Sequence, residues 1–126
     1  MKKTLEEISQ ADGRYDAKAL KFVFDGLGHT ISRIRSEEEE PAAPRHITGA
    51  ELAQGIAELA IERWGRLARM VLNIWGVRNT RDLGEIVYLM IAHQWMTAQE
   101  SDTIEDFDNV YDFEEVFEKQ YRFEPQ

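Results

Sequence analysis

The sequence predicts a mainly α fold, a compact single-domain bundle of four to five helices spanning residues 1–126. Three observations predict it. Apolar residues recur at helical spacing through the long segments between turn signals. Thr, Asp and Gly stand where helix ends need caps. The chain has 126 residues, 43% hydrophobic and 31% charged, which suits one globular domain burying roughly two thirds of its unfolded surface.

The first strong helix is expected from Asp16 to Arg35. Leu20, Val23, Phe24, Leu27, Ile31 and Ile34 recur at helical spacing, and Asp16 is a suitable N-cap. Gly26 and Gly28 interrupt this stripe at about 1 kcal/mol each relative to Ala. They imply a close helix contact or a local break. Residues 36–44, Ser-Glu-Glu-Glu-Glu-Pro-Ala-Ala-Pro, follow. Four consecutive glutamates repel one another and two prolines oppose helix, so an acidic, mobile surface loop is expected.

Thr48 with Glu51 three residues later is a capping-box signature, with Ile47 placed to staple onto Leu52. Leu52, Ile56, Leu59 and Ala60 then share a face. The stripe continues in phase as Leu67, Met70, Val71, Ile74 and Trp75. One continuous helix would be far longer than the mean of about 11–12 residues. Two helices, 49–64 and 66–75, broken at Gly65 are expected, with their apolar residues forming one buried stripe.

The stretch NIWGVRNTRDLGEIV, residues 73–87, reads as a tight joint between helices. Gly76 is placed for a left-handed C′ residue and Val77 for the C″ residue that folds back on Leu72. Thr80 is the expected N-cap of the next helix, and Asp82 favours its positive dipole end. Leu83, Ile86, Val87, Met90 and Ile91 form its buried stripe. Gly84 implies close approach of a neighbour, with Trp75 as the candidate.

Residues 100–126 are acidic and aromatic together. Asp102 and Glu105 suggest another capping box. Phe107, Tyr111, Phe113, Phe117 and Tyr121 could fasten the segment onto the body. Residues 112–121 look helical, and residues 107–111 allow one short extended segment.

Charge is uneven along the chain. The net value of −9 combines +2 over residues 1–36, −4 over residues 37–44, +3 over residues 45–81 and −10 over residues 82–126. An acidic chain of this kind repels phosphate backbones, so no nucleic-acid partner is expected. A helix-turn-helix outline exists at residues 66–75 and 81–95. Beyond Arg81, however, the second helix offers no Lys or Arg for base edges or phosphates. The longest apolar run, residues 86–92, is far short of a membrane span, and Glu6 and Glu7 interrupt any leader-like pattern. No membrane partner is expected, and a cytoplasmic location is.

Specific chemistry is sparse. The absence of cysteine excludes thiolate metal sites and a cysteine nucleophile. Asp106, Asp108 and Asp112 fail the calcium-loop pattern, because Tyr111 stands where that loop needs glycine. No phosphate-binding glycine loop, nucleophile elbow or zinc-protease motif occurs. No catalytic residue, metal site or cofactor is assigned. The candidate ligand or partner residues are His46, Arg63, Arg66, Arg69, Asp82 and Glu85. His46 precedes a helix start, where an imidazole can act as acid or base, with Asp82 or Glu85 as the companion carboxylate. Arg63, Arg66 and Arg69 trace one ridge at a spacing of three. Their simplest role is pairing with the chain's own carboxylates, including the acidic tail. Trp64, Trp75 and Trp95 suit core or groove anchoring.

Four motifs carry a resemblance: RHITGAEL, WGRLARMVLNIWGV, TRDLGEIV and EDFDNVYDFEEVF. From about Arg14 to Phe117 the chain resembles a bacterial conserved-hypothetical family of the planctomycete and verrucomicrobial type. The resemblance implies no established activity, substrate or cofactor. Members of that family often carry proline after the glycine matching Gly65, a break signal that this chain replaces with Arg66.

Two function classes follow. One is a non-enzymatic protein-interaction or regulatory domain, acting on an unknown protein partner or as a homodimer, through an apolar groove bordered by Arg and Glu. The other is a small-ligand-binding protein or enzyme with a polar site near His46, Asp82 and Glu85. A weaker third reading makes the acidic tail a mimic of nucleic acid toward a basic partner.

Overall fold

The computed structural model describes residues 2–37 and 46–119. Five α-helices make the body: α1 (Leu5–Asp12), α2 (Ala17–Glu37), α3 (Gly49–Trp64), α4 (Ala68–Ile74) and α5 (Thr80–Ala92). A 3-10 turn, Gly65–Leu67, joins α3 to α4. A second 3-10 turn, Ile104–Phe107, and a π-helical turn, Glu115–Lys119, follow α5. No strand occurs among the described residues, and residues 107–111 form the end of a 3-10 turn and a bend.

Helix α1 has no counterpart among the sequence expectations, although its signals are present. Thr4 and Glu7 form a reciprocal capping box, Leu5 and Ile8 are buried, and Gly13 ends the helix with φ 80. Asp16 caps α2 as expected, its Oδ1 accepting from the Lys18 N–H at 2.8 Å. The helix runs unbroken to Glu37, past the expected end at Arg35. The remainder of the expected acidic loop, residues 38–44, lies outside the described residues. Gly26 supports a close contact: a Cβ there would lie 2.5 Å from Ile56 Cγ1 of α3.

The Thr48–Glu51 capping box forms in full. Helix α3 breaks at Gly65, as expected, with φ 54 and ψ −128. The break has a consequence that in-phase spacing does not show. It turns α4 so that Ala68 and Leu72 enter the core. Leu67, Met70 and Ile74, expected inside, stand 56%, 52% and 73% exposed. Trp75 still turns inward, edge-on to Trp64 at 5.3 Å, and Trp64 packs on Phe22 at 4.7 Å.

The joint after α4 closes as a Schellman ending. The Val77 N–H donates to Leu72 O at 2.8 Å and the Gly76 N–H to Asn73 O at 3.0 Å. Asn79, not Thr80, is the N-cap of α5, its side chain accepting from the Asp82 N–H at 2.9 Å. Thr80 is freed for a buried role: its hydroxyl donates to Phe107 O and accepts from the Val110 N–H. The neighbour that requires Gly84 is Phe107, whose Cβ and Cγ would lie 2.8 Å from an added Cβ; Trp75 is not the cause.

The tail is bound by its aromatics. Phe107, Phe113 and Phe117 are buried, and the Tyr111 hydroxyl donates to Ala53 O at 2.7 Å. Tyr121 lies outside the described residues. The capping box of this segment is Thr103–Asp106, one residue later than Asp102–Glu105. Phe117 joins Phe22, Ile56, Leu72, Leu83 and Met90 in one core cluster.

Candidate functional site

Three features of the surface could meet a partner or ligand. The first is the apolar ridge of Leu67, Met70 and Ile74. Spacings of three and four put these side chains on one side of the 3-10 turn and α4. The opposite side of the same helix carries the buried Ala68 and Leu72. Helix α4 is thus apolar on two faces, and only one of them is covered. Covering the other would stabilise by about 1.5–3 kcal/mol per fully buried side chain. Arg66 precedes Met70 by one helical turn, and Arg69, paired with Glu118, flanks it.

The second feature is a cleft of about 360 Å³ between the start of α5 and residues 108–114. Arg69, Arg78 and Arg81 line it, and Asp108, Asp112 and Glu114 oppose them. Arg81 reaches Asp108 at 3.0 Å and Glu85 at 3.1 Å, while Arg69 reaches Glu118 at 2.9 Å. The two walls carry equal and opposite charge, so the cleft attracts neither a polyanion nor a polycation as a whole.

The third feature is a narrow cavity of about 60 Å³ beneath His46. The helix start of α3 positions His46, and the turn after α5 brings Asp102 to it. His46 Nε2 and Asp102 Oδ1 are 2.7 Å apart, a hydrogen bond between side chains 27% and 15% exposed. Burial pushes the Asp102 carboxyl up, but the Gln99 N–H and His46 outweigh it and hold the group below its ordinary value. Leu27, Leu52, Val87 and Ile91 supply apolar walls. Tyr88 lines the same cavity, and its hydroxyl oxygen is buried with no hydrogen bond among the described residues.

The structure separates the site residues grouped from sequence. His46 pairs with Asp102, and neither Asp82 nor Glu85 lines its cavity. Asp82 instead accepts from the Tyr15 hydroxyl at 2.6 Å and from the Arg78 N–H at 2.9 Å. Burial and this carboxylate push the Tyr15 phenol well above its ordinary range. Glu85 is held below its usual range by Arg81 and Arg14. Asp82 and Glu85 therefore act as fastenings between α1, its following turn and α5. Arg63 pairs with Asp25 at 3.2 Å, so the expected pairing with internal carboxylates holds for Arg63 and for Arg69.

Asp102, read from sequence only as a helix cap, and Tyr88 were not among the expected site residues. Asp102 lies 56 residues from His46 in a loop, and no spacing rule links them. Tyr88 gave a faint signal as a polar-tipped residue beside the stripe of Val87 and Ile91. No helix among the described residues is long and apolar enough to cross a membrane, and no group of three or more His, Asp or Glu side chains among them could hold a metal ion. No family model, no curated protein and no solved structure matches the chain, and the family resemblance rests on the four motifs alone.

Proposed function

We propose that this chain is a non-enzymatic protein-interaction domain that docks the apolar face of a helix from a different protein onto α4. The observation that carries this reading is the exposure of Leu67, Met70 and Ile74 as one continuous ridge on a helix otherwise anchored in the core. Arg69 and its partner Glu118 border the ridge with both charges, so the apolar side chains, not a net charge, select the partner. The short, rigid attachment of α4 between the Gly65 break and the Schellman ending presents the ridge in one orientation, which lowers the ordering cost of binding.

A photo-crosslinking amino acid in place of Met70, installed in the full chain in its host cell, tests this. A matched crosslinker at the exposed Gln54 of α3 serves as the control. One protein crosslinked at position 70, absent at position 54 and lost with Ile74→Glu, is the expected result. Crosslinks only between copies of the chain, or none beyond the control, overturn it.

A further inference from the structure

The cleft at the start of α5 holds two charges that the fold does not match. Arg69 and Arg81 are engaged there, with Glu118 at 2.9 Å and with Asp108 at 3.0 Å. Arg78 is not. Among the described residues its guanidinium meets no carboxylate, and its one hydrogen bond runs from Nη1 to Asn73 Oδ1 at 3.4 Å. On the opposing wall Asp112 uses Oδ2 to accept from the Glu115 N–H at 3.0 Å, and no cation among the described residues pairs with it. Arg78 and Asp112 line one cleft, yet their charged atoms stay more than 4.0 Å apart.

Size and lining decide what can bridge them. The volume of about 360 Å³ lies within the range of small-molecule sites, roughly 300–1,000 Å³. Inorganic phosphate would answer Arg78 alone and would meet the field of Asp108, Asp112 and Glu114. A simple amine would answer Asp112 alone and would meet the three arginines. A molecule that carries both an anionic and a cationic group matches both walls. The Asn79 side chain spends its oxygen on the Asp82 N–H, which leaves its amide N–H groups to donate into the same cleft. Tyr111 and Phe113 also line it and add aromatic surface, the Tyr111 hydroxyl being already committed to Ala53 O.

We infer that this cleft binds a zwitterion of the amino-acid kind. Its carboxylate accepts from Arg78 and Asn79, its ammonium donates to Asp112, and an apolar side chain lies against Tyr111 and Phe113. A planar guanidinium suits a carboxylate in particular, because the two can share a pair of parallel hydrogen bonds. A free α-amino acid and a short peptide carry the same pair of terminal groups. The inference goes beyond the docking reading: none of these residues belongs to the α4 ridge, and the site stands whether or not a partner helix docks there.

The test is a titration of the full chain with L-leucine and with leucylglycine, followed by amide NMR shifts at Asn79, Asn109 and Phe113. Leucinamide, which lacks the carboxylate, and 4-methylpentanoate, which lacks the ammonium, serve as comparators. Saturable shifts are expected with at least one zwitterion, and about tenfold weaker binding of each comparator. Arg78→Gln and Asp112→Asn are each expected to weaken the zwitterion about tenfold. Both keep the fold, since Arg78 is exposed and asparagine retains an oxygen for the Glu115 N–H. Arg35→Gln, exposed on α2 and outside the cleft, should change nothing. No saturable shift with either zwitterion, equal binding of a comparator, or indifference to either cleft variant overturns the inference. Tighter binding of leucine than of leucylglycine assigns the site to free amino acids, and the reverse assigns it to short peptides.

Discussion

The hydroxyl of Thr80 donates to the carbonyl oxygen of Phe107 at 2.5 Å and accepts from the Val110 N–H at 3.2 Å, so one fully buried side chain ties the first turn of α5 to the tail. Thr80→Val removes both bonds while keeping the shape, and leaves two buried backbone groups without this partner. Chemical denaturation should show a loss of about 1–3 kcal/mol. Thr80→Ser should lose less, because the hydroxyl stays. Equal losses for the two variants would mean that the methyl group, not the bonds, holds the tail.

Two glycines separate helix propensity from packing. At Gly28 of α2 no atom lies within 4 Å of an added Cβ. Gly28→Ala should therefore gain up to about 1 kcal/mol from propensity alone. At Gly84 the added Cβ meets Phe107 at 2.8 Å, and overpacking of about 1–3 kcal/mol outweighs the same gain. Gly84→Ala is expected to lower the melting temperature and Gly28→Ala to raise it.

Met70→Glu and Ile74→Lys should each change stability by no more than about 0.5 kcal/mol, since both side chains already stand in solvent. Leu72→Ala, on the opposite face of the same helix and 1% exposed, should lose about 2–5 kcal/mol. Denaturation midpoints of the three variants check the orientation of α4 directly. A large loss at Met70 would show that the ridge is inside in solution.

The pH dependence follows from Glu85 and Asp102, whose folded-state values lie below the ordinary 4.5 and 3.8. A carboxyl with a lowered folded value contributes stability that is present above the unfolded value and lost as pH falls through the folded one. The chain should thus lose stability on acidification below about pH 4.5. Glu85→Gln should flatten that acid limb, because Arg81 and Arg14 then face an amide at every pH. Urea midpoints at neutral pH and at pH about 3 measure the difference.

Most elements were legible because their signals are local. The Thr48–Glu51 capping box, the break at Gly65 and the Gly76–Val77 ending each depend on residues a few positions apart. Helix α1 carried the same kind of signal in Thr4 and Glu7 and was legible in principle. The orientation of α4 was not. Spacing says which residues share a face, and Leu67, Met70 and Ile74 do, but the turn at Gly65 decides whether that face meets the core. The partner of Gly84 and the pairing of His46 with Asp102 depend on where a tail more than twenty residues away lands. No periodicity reports that.

The attachment of the tail bears on how the chain matures during synthesis. Phe107, Phe113 and Phe117 fill the core beside residues made much earlier, and Tyr111 reaches back 58 positions to Ala53. Helices α2 and α3 can pair as soon as both are made, but their apolar faces stay partly uncovered until residues 107–117 leave the ribosome. A stalled or truncated nascent chain would present that open core to chaperones and proteases, so translation through the tail is the step that commits the domain to its native state.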